Sequence, residues 1–168
     1  LHAGTDQATG LRLQEAAFGL ALAQEQVSNG PRQWSALKAS AGAAGLVGID
    51  GLTISGSALS VAINQADSNG VVLDFADARA LSVATGTGSS LSLDLDGAQG
   101  QQLRASGQLA VDLFGFARFE GAMAFSQSDG AVRVQGDAAD TQVRQLTLGL
   151  SGASGFVGMN GGTADAVG

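Results

Sequence analysis

The chain has 168 residues, enough for one domain with a buried core, and its 45% hydrophobic content is too high for a disordered linker despite 26 glycines. A formal net charge of −7, with Lys38 the only lysine, repels phosphate backbones and excludes nucleic acid as a natural partner. The absence of cysteine excludes a disulfide framework and thiolate chemistry, and no apolar run approaches the about 20 residues of a membrane-spanning helix.

In chain order, residues 11–26 read as two strand segments. Leu11 and Leu13 alternate with Arg12 and Gln14, and Phe18, Leu20 and Leu22 alternate with Gly19, Ala21 and Ala23. An irregularity near Glu15-Ala16-Ala17 separates them, and the Ala, Glu and Gln content leaves a helix as the alternative. Ser28-Asn29-Gly30-Pro31 predicts a turn, because Asn-Gly supplies the positive φ values of tight hairpins. Trp34, Ala36 and Lys38 then fall on one strand face and Ser35, Leu37 and Ala39 on the other. Leu59, Val61 and Ile63 form the clearest alternating run, and Gly56-Ser57-Ala58 before it shifts the parity as a bulge would.

Ser68-Asn69-Gly70 and Ser128-Asp129-Gly130 repeat the turn signal. Val71, Leu73 and Phe75 predict a strand between them, continued in phase by Leu81 and Val83, broken at Thr85-Gly86-Thr87-Gly88, and followed by Leu91, Leu93 and Leu95. From Leu103 to Phe125 apolar and small residues fill the odd positions, which predicts two strands or one strand kinked near Gly115. Val132 and Val134, then Leu146, Leu148 and Leu150, supply the last strands.

A repeat overlies this pattern. Gly45-Leu46-Val47-Gly48-Ile49-Asp50-Gly51 recurs as Gly155-Phe156-Val157-Gly158-Met159-Asn160-Gly161, with Ala43 matched by Ala153, and more weakly as Gly115 to Gly121. Ala3 to Gly10 also matches Gly161 to Gly168, so residues 1–168 read as one module of about one period of a longer tandem array. The motif lacks the Lys-Ser/Thr of a phosphate loop. Its glycines read as points of close backbone approach, and its Asp/Asn-Gly pairs read as turns.

Little chemistry is available. The only histidine, His2, leaves no imidazole for a catalytic triad or a His/Cys metal site, and the chain reads as a non-enzyme. Asp74 with Asp77, and Asp94 with Asp96, offer paired carboxylates without a supporting constellation. Asp94-Leu95-Asp96-Gly97 resembles half of a calcium loop, making Asp94 and Asp96 the candidate metal ligands, with calcium an interface ion if any cofactor is used. Phe114, Phe116, Phe119 and Phe125 form one aromatic cluster in sequence and read as a core or interface group.

These features predict an all-β fold: an elongated antiparallel sandwich or roll of roughly ten strands, stacking end to end on neighbouring copies, with a β-solenoid as second choice. The acidic, cysteine-free, Gly/Ala/Ser-rich strands, the Ser-Asn/Asp-Gly turns and the head-to-tail overlap resemble the tandem repeat modules of giant secreted bacterial surface proteins of the adhesin and biofilm-matrix type. That resemblance implies an exported structural unit of an extracellular fibre, filament or cell-surface stalk, whose partners are copies of itself. The alternatives are a β-groove that binds or conducts lipid, or an adhesive ligand-binding domain.

Overall fold

The structure is a computed structural model and describes residues 9–27 and 29–158. Nine strands occur among them: β1 (Gly10–Gln14), β2 (Ala17–Gln24), β3 (Gln33–Val47), β4 (Leu52–Gln65), β5 (Leu81–Gly86), β6 (Ser89–Leu93), β7 (Gln102–Leu113), β8 (Ala117–Val132) and β9 (Thr141–Val157). The fold is all-β and antiparallel. Seven strands form one sheet in the order β1-β3-β4-β7-β8-β9, with β2 continuing β1 along the same edge of β3. β5 and β6 form a separate hairpin that packs on β2 and β3, so among the described residues the second layer lies at one end of the sheet.

The 11–26 segment is strand, interrupted at Glu15, whose φ is 52°. The Leu103–Phe125 run is two strands, β7 and β8, reversing at Phe114 and Gly115. Two expectations fail. Val71 to Phe75 joins no ladder; it is tethered as Trp34 Nε1 donates to the Val71 carbonyl at 3.0 Å and Asn64 Nδ2 to the Leu73 carbonyl at 2.8 Å. Alternation reports which side chains face the core, and a segment lying flat on a sheet alternates as well as one paired within it. Ser128-Asp129-Gly130 is no turn. It lies inside β8, paired with Val143 to Gln145, and the Asp129–Arg144 ion pair at 3.0 Å spans the two strands there. Cross-strand pairing overrides the local turn preference.

The registers reveal a line of irregularities. Pairing of β3 with β1, β2 and β4 is continuous, whereas β4 slips against β7 between Ser57 and Ser60. The extra residue is therefore shared by three adjacent strand positions, at Glu15, Gly42 and Ala58, of which Glu15 and Ala58 adopt positive φ. β9 carries its own extra residue relative to β8, at Gly152 with φ 57°. Each bulge shifts side-chain parity by one, and the apolar residues shift with it: Leu11 and Leu13 become Phe18, Leu20 and Leu22, while Leu46 and Ala44 become Ala39 and Leu37.

The sheet consequently has two unlike faces. One carries Leu11, Leu13, Phe18, Leu20, Leu46, Ile54, Val61, Ile63, Leu109, Val111, Phe119, Met123, Phe125 and the leucines of β9. The other carries Gly19, Ala36, Lys38, Ser60, Asn64, Arg104, Ser106, Asp112, Arg118 and Glu120. The hairpin covers one end of this second, small-and-polar face. Leu91 and Val83 sit over Gly19, and a Cβ on Gly19 would lie 3.0 Å from Leu91. Ala36, Leu93 and Leu95 are the buried hydrophobic residues, with Asn64 and Gln102 buried beside them.

Candidate assembly surface

The predicted carboxylates lie on the covering segment, each engaged by the protein. Asp94 accepts from Lys38 Nζ at 2.7 Å, fastening β6 to β3, and this partner lowers the Asp94 pKa from its ordinary value. Asp96 caps the short 3-10 turn Gly97–Gln99 by accepting from the Ala98 N–H at 2.8 Å. Asp74 accepts from the Gly97 and Ala76 N–H groups, both at 3.1 Å, and pairs with Arg79 at 2.6 Å; the backbone donors hold its carboxyl below the usual range. Asp74, Asp77, Asp94 and Asp96 border one open polar pocket with Arg79. Among the described residues no group of three His, Cys, Asp or Glu side chains is placed to hold a metal ion. His2 lies outside the described residues.

The repeated glycine motif marks one end of the sheet. Gly45 lies near the end of β3, and Gly48 and Gly51 turn the chain into β4 with φ values of 77° and 73°. Gly115 (φ 66°) turns β7 into β8, and Gly155 lies near the end of β9. The three copies are joined side by side: the Phe114 N–H donates to the Gly51 carbonyl, and the Gly158 N–H donates to the Phe116 carbonyl at 2.8 Å. Gly51 has no alternative, because a Cβ there would enter the Phe114 ring. Gly121 is buried in β8, where a Cβ would lie 3.1 Å from Ala153 Cα and 3.3 Å from the Leu150 side chain. Asp50 is exposed in the β3–β4 turn, while Asn160 and Gly161 lie outside the described residues, as does the head-to-tail overlap apart from Thr9 and Gly10.

Beyond these points the structure contains a larger feature that periodicity implied without locating. Between the Leu20 and Leu113 rows, the apolar face carries no charged side chain among the described strand residues; Glu15 sits at the bulge between β1 and β2, and the Asp129–Arg144 pair stands on this face at its rim, in the row of Leu22. Nothing among the described residues covers it. Leu146, Leu148 and Leu150 on β9 are 61%, 66% and 52% exposed, and Phe18 and Leu22 on the opposite edge 67% and 74%. Patches of this extent on a folded chain mark interaction surfaces. The four phenylalanines do not form one cluster. Phe114 and Phe116 stand exposed in the β7–β8 turn, while Phe119 and Phe125 are six residues apart on β8, roughly 20 Å along the strand.

Both sheet edges are open as well. The outer edge of β9 and that of β1–β2 pair with no strand among the described residues. Edge strands are normally protected by lysine, proline or inward charges. From Gln145 to Val157 β9 has none of these and is interrupted only by the bulge at Gly152, and its one charged residue, Arg144, is paired with Asp129. Comparison with protein-family models, curated proteins and solved structures finds no match.

Proposed function

We propose that this chain is a structural, non-enzymatic repeat module of an extracellular fibre, filament or cell-surface stalk, completed by neighbouring copies of itself. The carrying observation is the apolar face, uncovered among the described residues and bounded by two edges that pair with no strand there. A sheet with one apolar face reaches a stable state by burying that face against another layer, and the β5–β6 hairpin lies on the opposite side. The repeated motif adds a second support, since its copies terminate strands at one common end of the sheet. The extracellular setting rests on the resemblance to secreted surface repeats.

The test is concentration-dependent melting with light scattering on the same samples. Association between copies raises the melting temperature with protein concentration, because only the folded state binds partners. A monodisperse monomer of 16.6 kDa, melting at one temperature from micromolar to millimolar concentration, overturns the reading.

The aliphatic character of the open face favours one second reading, an acyl-chain platform. Its Leu, Ile and Val side chains with few aromatics match the chemistry of a hydrocarbon chain. Lipid co-purifying with the protein, detected by extraction and mass spectrometry, distinguishes this reading from the first.

A further inference from the structure

Building on the assembly reading, we infer that copies join edge to edge, with β9 of one copy pairing antiparallel with β1–β2 of the next to form one continuous sheet. With β1 and β2 counted as one strand, the sheet has an even number of positions and every neighbouring pair is antiparallel. The two outermost strands therefore run in opposite directions. Carrying a copy across the sheet, turned only by the sheet's own accumulated twist, brings β1–β2 beside β9 in antiparallel orientation with no two-fold rotation. Gly10 and Val157 lie at the same end, as the Gly10–Val47 and Ala117–Val157 pairs and the Thr9 hydroxyl donating to the Gly48 carbonyl establish. The geometry serves separate copies and copies joined in tandem alike.

The bulges select the register. β1–β2 shifts parity at Glu15-Ala16, five residues from its start at Gly10; β9 shifts at Gly152, five residues from its end at Val157. A one-residue slip would turn every apolar side chain to the wrong face. A two-residue slip would leave the bulges unmatched and break the apolar face between them. Only the register with the bulges opposed keeps both halves continuous. It places Val157 opposite Leu11 of the neighbouring copy, Gly155 opposite Leu13, Leu150 opposite Phe18, Leu148 opposite Leu20 and Leu146 opposite Leu22. The same bulge-to-bulge matching already occurs inside the molecule, where Glu15 opposes Gly42 and Gly42 opposes Ala58. On the other face, Gly149 and Ser151 fall opposite Gly19 and Ala17 of the neighbour, leaving room for the hairpin above Gly19.

The absence of cysteine makes this register directly testable. The double variant Leu20→Cys/Leu148→Cys, oxidised mildly at a concentration where the chain associates, is expected to give a reducible ladder of multimers in steps of 16.6 kDa. The control Leu20→Cys/Thr147→Cys puts the thiols on opposite faces and is expected to give at least tenfold less ladder. Circular dichroism verifies that both fold, and Phe18→Cys/Leu150→Cys repeats the test on the adjacent rung if the first pair does not. Association in light scattering without a ladder, or equal ladders from test and control, overturns the edge register and leaves the assembly reading standing. No association at any concentration overturns both.

Discussion

Asp74 shows how one side chain organises a segment that has almost no ladder of its own. Its carboxylate gathers the N–H groups of Ala76 and Gly97, residues far apart in sequence, and so closes the base of the covering segment. The donors lower the folded pKa below the ordinary carboxylate value, so the interaction stabilises the fold fully above about pH 3.9 and is lost as pH falls through the depressed folded value. Acid below about pH 4 should therefore lower the melting temperature, and Asp74→Asn should flatten that dependence while lowering stability at neutral pH. Melting curves of the two proteins between pH 2 and 7 check both. The Lys38–Asp94 pair acts in the same direction but is partly exposed, so it contributes no more than about 1 kcal/mol. Gly51 and Gly121 are residue-scale requirements of another kind, since an added Cβ meets Phe114 at the first and Ala153 with Leu150 at the second.

At the scale of elements, the hairpin and the main sheet form an unequal pair. The strands of the sheet are long, 12 to 17 residues from β3 to β9 in the main sheet, and their ladders hold them together. The hairpin is short, and its attachment depends on Leu91 and Val83 seated over Gly19 and on the buried Leu93 and Leu95, with Asn64 holding the Leu73 carbonyl. Leu93→Ala leaves a cavity in this small core and should cost about 2–5 kcal/mol. The loss should be local, because the main-sheet ladders do not involve Leu93. Hydrogen exchange is expected to speed up across β5 and β6 while β7 and β8 remain protected. Equal acceleration in β7 and β8 would show that the hairpin and sheet unfold as one unit.

For the whole molecule, charge is distributed by face. The strand residues Lys38, Arg104, Asp112, Arg118 and Glu120 share the partly covered face, while the opposite face offers mainly hydrocarbon and glycine, with the Asp129–Arg144 pair at its rim. Assembly through that face or through backbone edges draws little on ion pairs, and the net charge of −7 opposes it. Raising salt from about 20 to 500 mM shortens the Debye length several-fold, so it should strengthen association, and sulfate should strengthen it further. Light scattering across a salt series checks this. Weakening with salt would instead point to electrostatic contacts between copies.

The sequence by itself determined the strand content, most of the turns, the bulges at Glu15 and near Ala58, and the two-faced character of the strands, because period-2 alternation and glycine conformation are local properties. It also carried the motif that ends strands at Gly48 and Gly158, though nothing local revealed that those ends lie side by side. The tertiary structure alone decided that Val71 to Phe75 lies unpaired on a face, that Ser128-Asp129-Gly130 continues a strand, and that Asp94 serves Lys38. It alone decided that the bulges align across β1–β2, β3 and β4 and recur on β9. Each of these depends on which strand is whose neighbour, a long-range choice set by registers summed over whole strands, to which no single residue's preference contributes more than a fraction.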